Sequence, residues 1–136
     1  MKKGITFGSF DVLHAGHCLM LEEAKKQCDY LIVGLQRDPS ITPTEYRGKV
    51  KNKPIQTIAE REIQLKANRN VDEVIIYDTE EDVYKLLLEI KPDVRIIGLD
   101  WKEKKFTGWD LPIEVYYNSR NHSYSSTELR ERIKNS

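Results

Sequence analysis

Apolar and polar positions along this chain switch repeatedly between a helical and an extended pattern. Ile5-Thr6-Phe7-Gly8 reads as a short buried strand. From Gly16 to Cys28 the positions Cys18, Leu21, Ala24 and Cys28 fall at helical spacing, which predicts a helix with that side toward a core. YLIVGLQ (Tyr30–Gln36) is a continuous apolar run, the pattern of a central parallel strand covered on both faces. Thr57-Ile58-Ala59-Glu60 has capping-box spacing and opens a helix running to about Asn68. EVIIY (Glu73–Tyr77) is a third strand. Glu80 to Ile90 is a helix with Val83, Leu86, Leu87 and Ile90 on its inner face. DVRIIG (Asp93–Gly98) is a fourth strand, and Pro112 to Tyr117 holds a fifth, IEVYY. Ser125-Ser126-Thr127-Glu128 has capping-box spacing again and starts the last helix, STELRERIK. Strands alternating with helices predict an α/β fold, a parallel sheet with right-handed crossovers. The 136 residues fit a single domain, 1–136.

In such sheets, ligands sit at the carboxyl ends of the strands, near the point where the strand order reverses. Four segments converge there: GSFDVLHAGH after the first strand, Gln36-Arg37-Asp38 after the second, Gly98-Leu99-Asp100-Trp101 after the fourth and NSRNHSYSST after the fifth. The stretch from Asp38 to Gln56 adds Pro39, Pro43 and Pro54 among Arg47, Lys49, Lys51 and Lys53. A basic loop of that length in a compact domain is functional or disordered.

Composition narrows the chemistry. Apolar residues make up 39% and charged residues 32%, with 22 Lys+Arg against 22 Asp+Glu. Anion binding must therefore come from local placement rather than a global field, and nothing points to nucleic acid. No apolar run approaches the roughly 20 residues of a membrane span. MKKGITFGSF lacks the long apolar region and small-residue cleavage site of a signal peptide. Cys18 and Cys28 form no Cys-x-x-Cys pair and are expected as reduced, buried thiols of a cytoplasmic protein.

His14 and His17 straddle the start of the first helix, with Gly8 and Gly16 allowing close backbone approach. Helix N-termini carry free N–H groups and partial positive charge, which suits phosphate, and two imidazoles there can donate to a phosphoryl group as its charge rises. The same spacing also fits a pair of structural histidines or two metal ligands. The metal reading is short of further donors, since only His122, Cys18 and Cys28 remain among His and Cys.

GSFDVLHAGH resembles the G-[TS]-F-D-x-x-H-x-G-H signature of the cytidylyltransferase-like nucleotidyltransferases. RNHSYSST, Arg120 to Thr127, is similar to that family's R-x-x-x-x-S-[ST]-T, and NVDEVI and GLDW resemble stretches of its small glycerol-3-phosphate cytidylyltransferases. The resemblance covers almost the whole chain. It implies a Rossmann-like single domain with helices on both faces of the sheet, homodimerisation, and Mg²⁺ carried with a nucleoside triphosphate. It implies that His14 and His17 touch the triphosphate, that Arg120, Ser126 and Thr127 hold β- and γ-phosphate oxygens beside Ser125, and that Lys53 closes over the phosphates. Gly8, Ser9 and Phe10 would contact the nucleotide through backbone atoms, with Asp100 and Trp101 near the base and ribose. Trp101 reads equally as a core or interface aromatic. Asp38 and Arg61 are expected on the acceptor, and Asp11 either there or ordering its loop. Lys49 and Lys51 fit solvated surface charge better.

The implied activity is transfer of a cytidylyl group from CTP to a phosphomonoester such as glycerol 3-phosphate. That would form a CDP-activated precursor of a surface polysaccharide or teichoic-acid-type polymer. The alternative is adenylyl transfer to a sugar 1-phosphate, such as heptose 1-phosphate. The glycerol-3-phosphate enzymes usually have Thr where this chain has Ser9, and R-T-E-G-I-S-T-T where it has Arg120–Thr127. His122, in that second stretch, is a third phosphate contact or an exposed loop residue. Residues 102–112 also depart from that subfamily, at a place suited to shaping an acceptor pocket.

Overall fold

The computed structural model describes residues 1–42, 52–119 and 122–136. Five parallel strands form one sheet: β1 (Lys3–Gly8), β2 (Tyr30–Gln36), β3 (Glu73–Tyr77), β4 (Val94–Gly98) and β5 (Glu114–Asn118). Four α-helices lie among the described residues: α1 (Ala15–Lys25), α2 (Ile58–Lys66), α3 (Glu80–Ile90) and α4 (Ser126–Lys134). The strand order is β3-β2-β1-β4-β5. The chain thus starts in the centre, moves out through β2 and β3, and crosses back to pair β4 with β1. That reversal, between β1 and β4, is where this architecture opens a crevice. Among the described residues no helix is long and apolar enough to cross a membrane.

The alternation along β2 divides the core. Leu31, Val33 and Leu35 pack with Leu21 and Ala24 of α1 and Leu65 of α2, whereas Ile32 joins Ile5, Tyr77 and the α3 residues Val83 and Leu87 on the other face. Burying each large aliphatic side chain contributes about 1.5–3 kcal/mol, so a continuous apolar run is what a strand covered on both faces requires. The true centre of the sheet is β1; β2 is interior, and β3 is the edge beyond it.

The α1 expectation needs correcting. Its core-facing line runs through His17, Leu21 and Ala24, and Cys18 is one residue step, about 100°, round from His17. Cys18 is therefore exposed rather than buried. The helix stops at Lys25, and Cys28 lies beyond it, half-buried, with its thiol pushed up chiefly by burial. At α2 the reciprocal cap forms as expected, with Glu60 N–H donating to Thr57 Oγ1 and Thr57 N–H to Glu60 Oε1. At α4 the forward half is present: Glu128 N–H donates to Ser125 Oγ at 3.0 Å.

Candidate active site

A cleft of about 990 Å³ opens over the carboxyl ends of the strands. One wall comes from Gly8, Ser9, His14 and His17, another from Ser126 and Thr127 at the start of α4. Two helix N-termini therefore face one space, each presenting first-turn N–H groups and the positive end of a helix dipole.

His14 is the N-cap of α1. Its Nδ1 accepts from Gly16 N–H at 3.0 Å, and its Nε2 lies 3.2 Å from Ser126 Oγ. His17 Nδ1 accepts in turn from His14 N–H at 3.4 Å. The rings stack with centroids 3.9 Å apart and planes 25° from parallel. Because both Nδ1 atoms are acceptors, each neutral ring carries its proton on Nε2. Burial, and then the neighbouring His14, push His17 down to about 4; burial and His122 lower His14 as well. Both rings are thus neutral N–H donors at neutral pH. Gly16 makes this packing possible, since a Cβ there would lie 2.9 Å from carbons of both His14 and His122.

The loop between β1 and α1 is held under backbone strain. Phe10 and Val12 both have φ of 49°, in the left-handed region that a β-branched residue avoids. Asp11 locks it: its carboxylate accepts from Ile55 N–H, Gln56 N–H and Arg130 Nη2, while Val12 N–H donates to Gln56 Oε1. Burial alone would raise the Asp11 carboxyl, but these donors outweigh it and hold it below the usual carboxylate range. Of the two expectations for Asp11, loop ordering is the one these bonds describe.

Arg61 points away from Ala59 and Ile63, but it is the inward residue. Ile63 is 68% exposed and Arg61 only 2%. The guanidinium makes four hydrogen bonds, to the carbonyls of Ser9, Gln36, Arg37 and Gln56. With four of five N–H donors spent on main chain, Arg61 ties the ends of β1 and β2 to α2 and has little left for an acceptor. Asp38 is half-buried, with Oδ1 accepting from Ser40 N–H and Oγ, and it lies outside the cleft wall. Lys53 is exposed, close enough to help lower Asp38; Asn52 and Pro54 beside it line the cleft. Trp101 is half-buried on the cleft wall and in neither core cluster, which favours the site over the core reading. Asp100 is exposed and off that wall, and the Phe10 ring is buried in the core. Ser125 lines the cleft while capping α4. Arg120, Lys49 and Lys51 lie outside the described residues.

Of three further cleft residues, Arg130 and Asn118 carry no individual signal in the sequence, whereas His122 is expected as a third phosphate contact or an exposed loop residue. Arg130, within STELRERIK, pairs with Asp11 at 2.8 Å. Asn118 ends β5 with a buried Oδ1 that has no partner among the described residues. His122 is half-buried beside His14 and Gly16, its ring stacked on Tyr124 at 5.5 Å, so it belongs to the cleft wall rather than to an outer loop.

The fold is a parallel α/β sheet whose switch-point cleft is faced by two helix N-termini. The family model for cytidylyltransferase-like proteins matches residues 5–132, and the chain belongs to that family; it is a nucleotidyltransferase. It is 36% identical over 133 residues to glycerol-3-phosphate cytidylyltransferase of Bacillus subtilis, covering 98% of each chain. It is also 36% identical over 129 residues to the bifunctional protein HldE of Campylobacter jejuni, covering 95% of this chain but only 27% of that protein's length. A match to FAD synthase of Ferroglobus placidus is 43% identical over 100 residues, 74% of this chain and 60% of the other. Among solved structures, the lipopolysaccharide core biosynthesis protein of Thermoplasma volcanium superposes with a TM-score of 0.70 at 29% identity, over 90% of this chain and 99% of that one.

Proposed function

We propose that this chain transfers a cytidylyl group from CTP to a small phosphomonoester, glycerol 3-phosphate or a related alcohol phosphate. Pyrophosphate leaves, and the product is a CDP-activated precursor for a surface polymer. The observation that carries the reading is the stacked His14–His17 pair at one helix N-terminus, facing Ser126 at another across a single cleft. The full-length similarity to a glycerol-3-phosphate cytidylyltransferase supports the choice of CTP.

The acceptor phosphate needs no general base, because its second pKa is about 6 and it arrives ionised. Its oxygen attacks the α-phosphorus in line. The new P–O bond forms as the bond to the bridging oxygen breaks, and pyrophosphate departs with that electron pair. The Nε2–H donors of His14 and His17 stabilise charge building on the α-phosphate and the leaving group, in a site set up before reaction. Ser126, Thr127 and the α4 N-terminus hold the β- and γ-phosphates, with Arg120 and Lys53 as added cations. Among the described residues no group of three or more His, Cys, Asp or Glu could cage a metal. Mg²⁺ would enter as part of the triphosphate substrate, bound through phosphate oxygens and water.

A second reading, adenylyl transfer to a sugar 1-phosphate, is favoured by the HldE and FAD synthase similarities. The test is pyrophosphate release with CTP, ATP, GTP and UTP, each crossed with glycerol 3-phosphate, phosphocholine, polyol phosphates and sugar 1-phosphates. CTP-dependent release with an alcohol phosphate is expected; release only with ATP moves the protein to the second reading. Homodimerisation belongs to the same proposal and is checked by light scattering.

A further inference from the structure

The cleft has a second lobe, on the opposite face of the sheet from the His14–His17 pair. Phe7 of β1, Tyr77 at the end of β3 and Arg95 of β4 meet there, with Phe106 and Trp109 from residues 102–112. Phe7 and Tyr77 pack edge to face at 5.6 Å. Arg95 is 7% exposed, and its guanidinium carbon sits 5.2 Å from the Phe7 ring centre and 4.9 Å from that of Phe106. Its Nη1 donates to the Thr107 carbonyl, but its Nε is buried with no hydrogen-bond partner among the described residues. Gly108, at φ 88°, leaves the room this arrangement needs, since a Cβ would lie 2.5 Å from Leu87 Cδ1.

A buried arginine donor without a partner is costly unless something fills it. Burial lowers Arg95 only to about 10, with Glu80 acting in the opposite direction, so it stays a cation at neutral pH. The aromatic rings that would cradle a quaternary ammonium already hold this guanidinium. A cationic ligand would meet like charge here, whereas an oxygen atom would accept from the guanidinium N–H groups that Thr107 leaves uncommitted.

We propose that Arg95 is the acceptor-selecting residue: its guanidinium takes an oxygen of the acceptor's tail, hydroxyl or carboxylate, and its charge rejects cationic tails. This rests on the phosphomonoester-acceptor reading above, and it deepens that reading to polyol or acidic alcohol phosphates. Lys105 and Thr107 line the same lobe, and Thr107 Oγ1 donates to Glu80 Oε2 at 2.8 Å, which fixes the segment carrying Phe106 against α3.

The test follows the arginine Nε–H resonances by NMR, assigning that of Arg95 by its loss in Arg95→Met. Glycerol 3-phosphate, 3-phosphoglycerate and phosphocholine are titrated in the presence of a non-hydrolysable CTP analogue. The Arg95 signal should shift with the first two and not with phosphocholine. In parallel, Arg95→Met should raise the dissociation constant of glycerol 3-phosphate about tenfold or more and lose discrimination against phosphocholine. Arg95→Lys, which keeps the charge but not the fork, should retain rejection of phosphocholine while binding the other two weakly. If Arg95→Met discriminates like the wild type, or the resonance is unmoved by all three compounds, the proposal is overturned and Arg95 is only a strut for residues 102–112. If the titrations behave as expected but no nucleotide pair releases pyrophosphate, the transfer reading falls and the selective pocket stands.

Discussion

Arg130 Nη2 lies 2.8 Å from Asp11 Oδ2, joining the last helix to the loop after the first strand across 119 residues of sequence. The same carboxylate holds the N–H groups of Ile55 and Gln56 at 2.8 and 2.9 Å. Three separate segments of the site thus depend on one buried acid.

Asp11→Asn keeps the shape but removes the charge and turns one acceptor into a donor. Breaking a buried pair from one side costs about 3–5 kcal/mol; with Arg130 partly exposed, a loss nearer about 2 kcal/mol is expected. Urea unfolding measures it. Nucleotide affinity should fall with it, because both walls of the cleft shift. Wild-type stability in this variant would mean that the pair does not organise the loop.

His17 links stability to acid. Its folded value is about 4, below the ordinary 6.5 of the unfolded chain. Above pH 6.5 the ring is neutral in both states and its contribution is complete. As pH falls toward 4 the unfolded chain takes up the proton first, so stability drops, by on the order of 3 kcal/mol in all. His17→Asn should flatten the stability–pH slope between about pH 6 and 4.5 relative to the wild type. Parallel curves for the two proteins would place the titration elsewhere.

His17→Ala should lower kcat far more than it weakens triphosphate binding, because the Nε2–H gains strength as charge builds in the transition state. The kinetic constants and a direct binding titration separate the two. Equal losses in both would make His17 a ground-state or structural residue.

Arg61→Lys preserves charge but cannot reach four carbonyls at once. Buried carbonyls left without donors cost about 1–3 kcal/mol each before relaxation. The variant should therefore melt well below the wild type, while acceptor KM changes no more than stability explains. A normal melting temperature with a raised acceptor KM would restore Arg61 as a substrate contact.

Periodicity exposed most of the fold. The continuous apolar run YLIVGLQ and the inner face of α3 depend on local sequence pattern, and local pattern survives folding. Cys18 was misplaced because the first turn of α1 aims at the cleft, so the core-facing line starts from His17 instead. Arg61 defeated the pattern for a different reason: a guanidinium in an apolar position is stable only because four carbonyls from three separate segments converge on it. That convergence is a tertiary fact with no sequence spacing of its own. The histidine pair was legible from its motif, but its tautomers were not, since they follow from Gly16 N–H and His14 N–H pointing at the rings. Arg95 sits in a strand as apolar as its neighbours and looks like an ordinary alternation break until Phe7 and Phe106 are seen on either side.

Helix α4 buries no residue completely, and it holds one wall of the cleft through contacts as sparse as the Asp11–Arg130 pair and the 3.2 Å approach of Ser126 to His14. In the free protein such an element opens locally at low cost, and its amides exchange hydrogen ahead of those in β1 and β2. A ligand that bridges residues 9–17 and 122–130 binds only the closed form and stabilises it by mass action. Slowed exchange would then appear at both ends of the chain together, making the first loop and the last helix one cooperative unit that the sheet alone does not create.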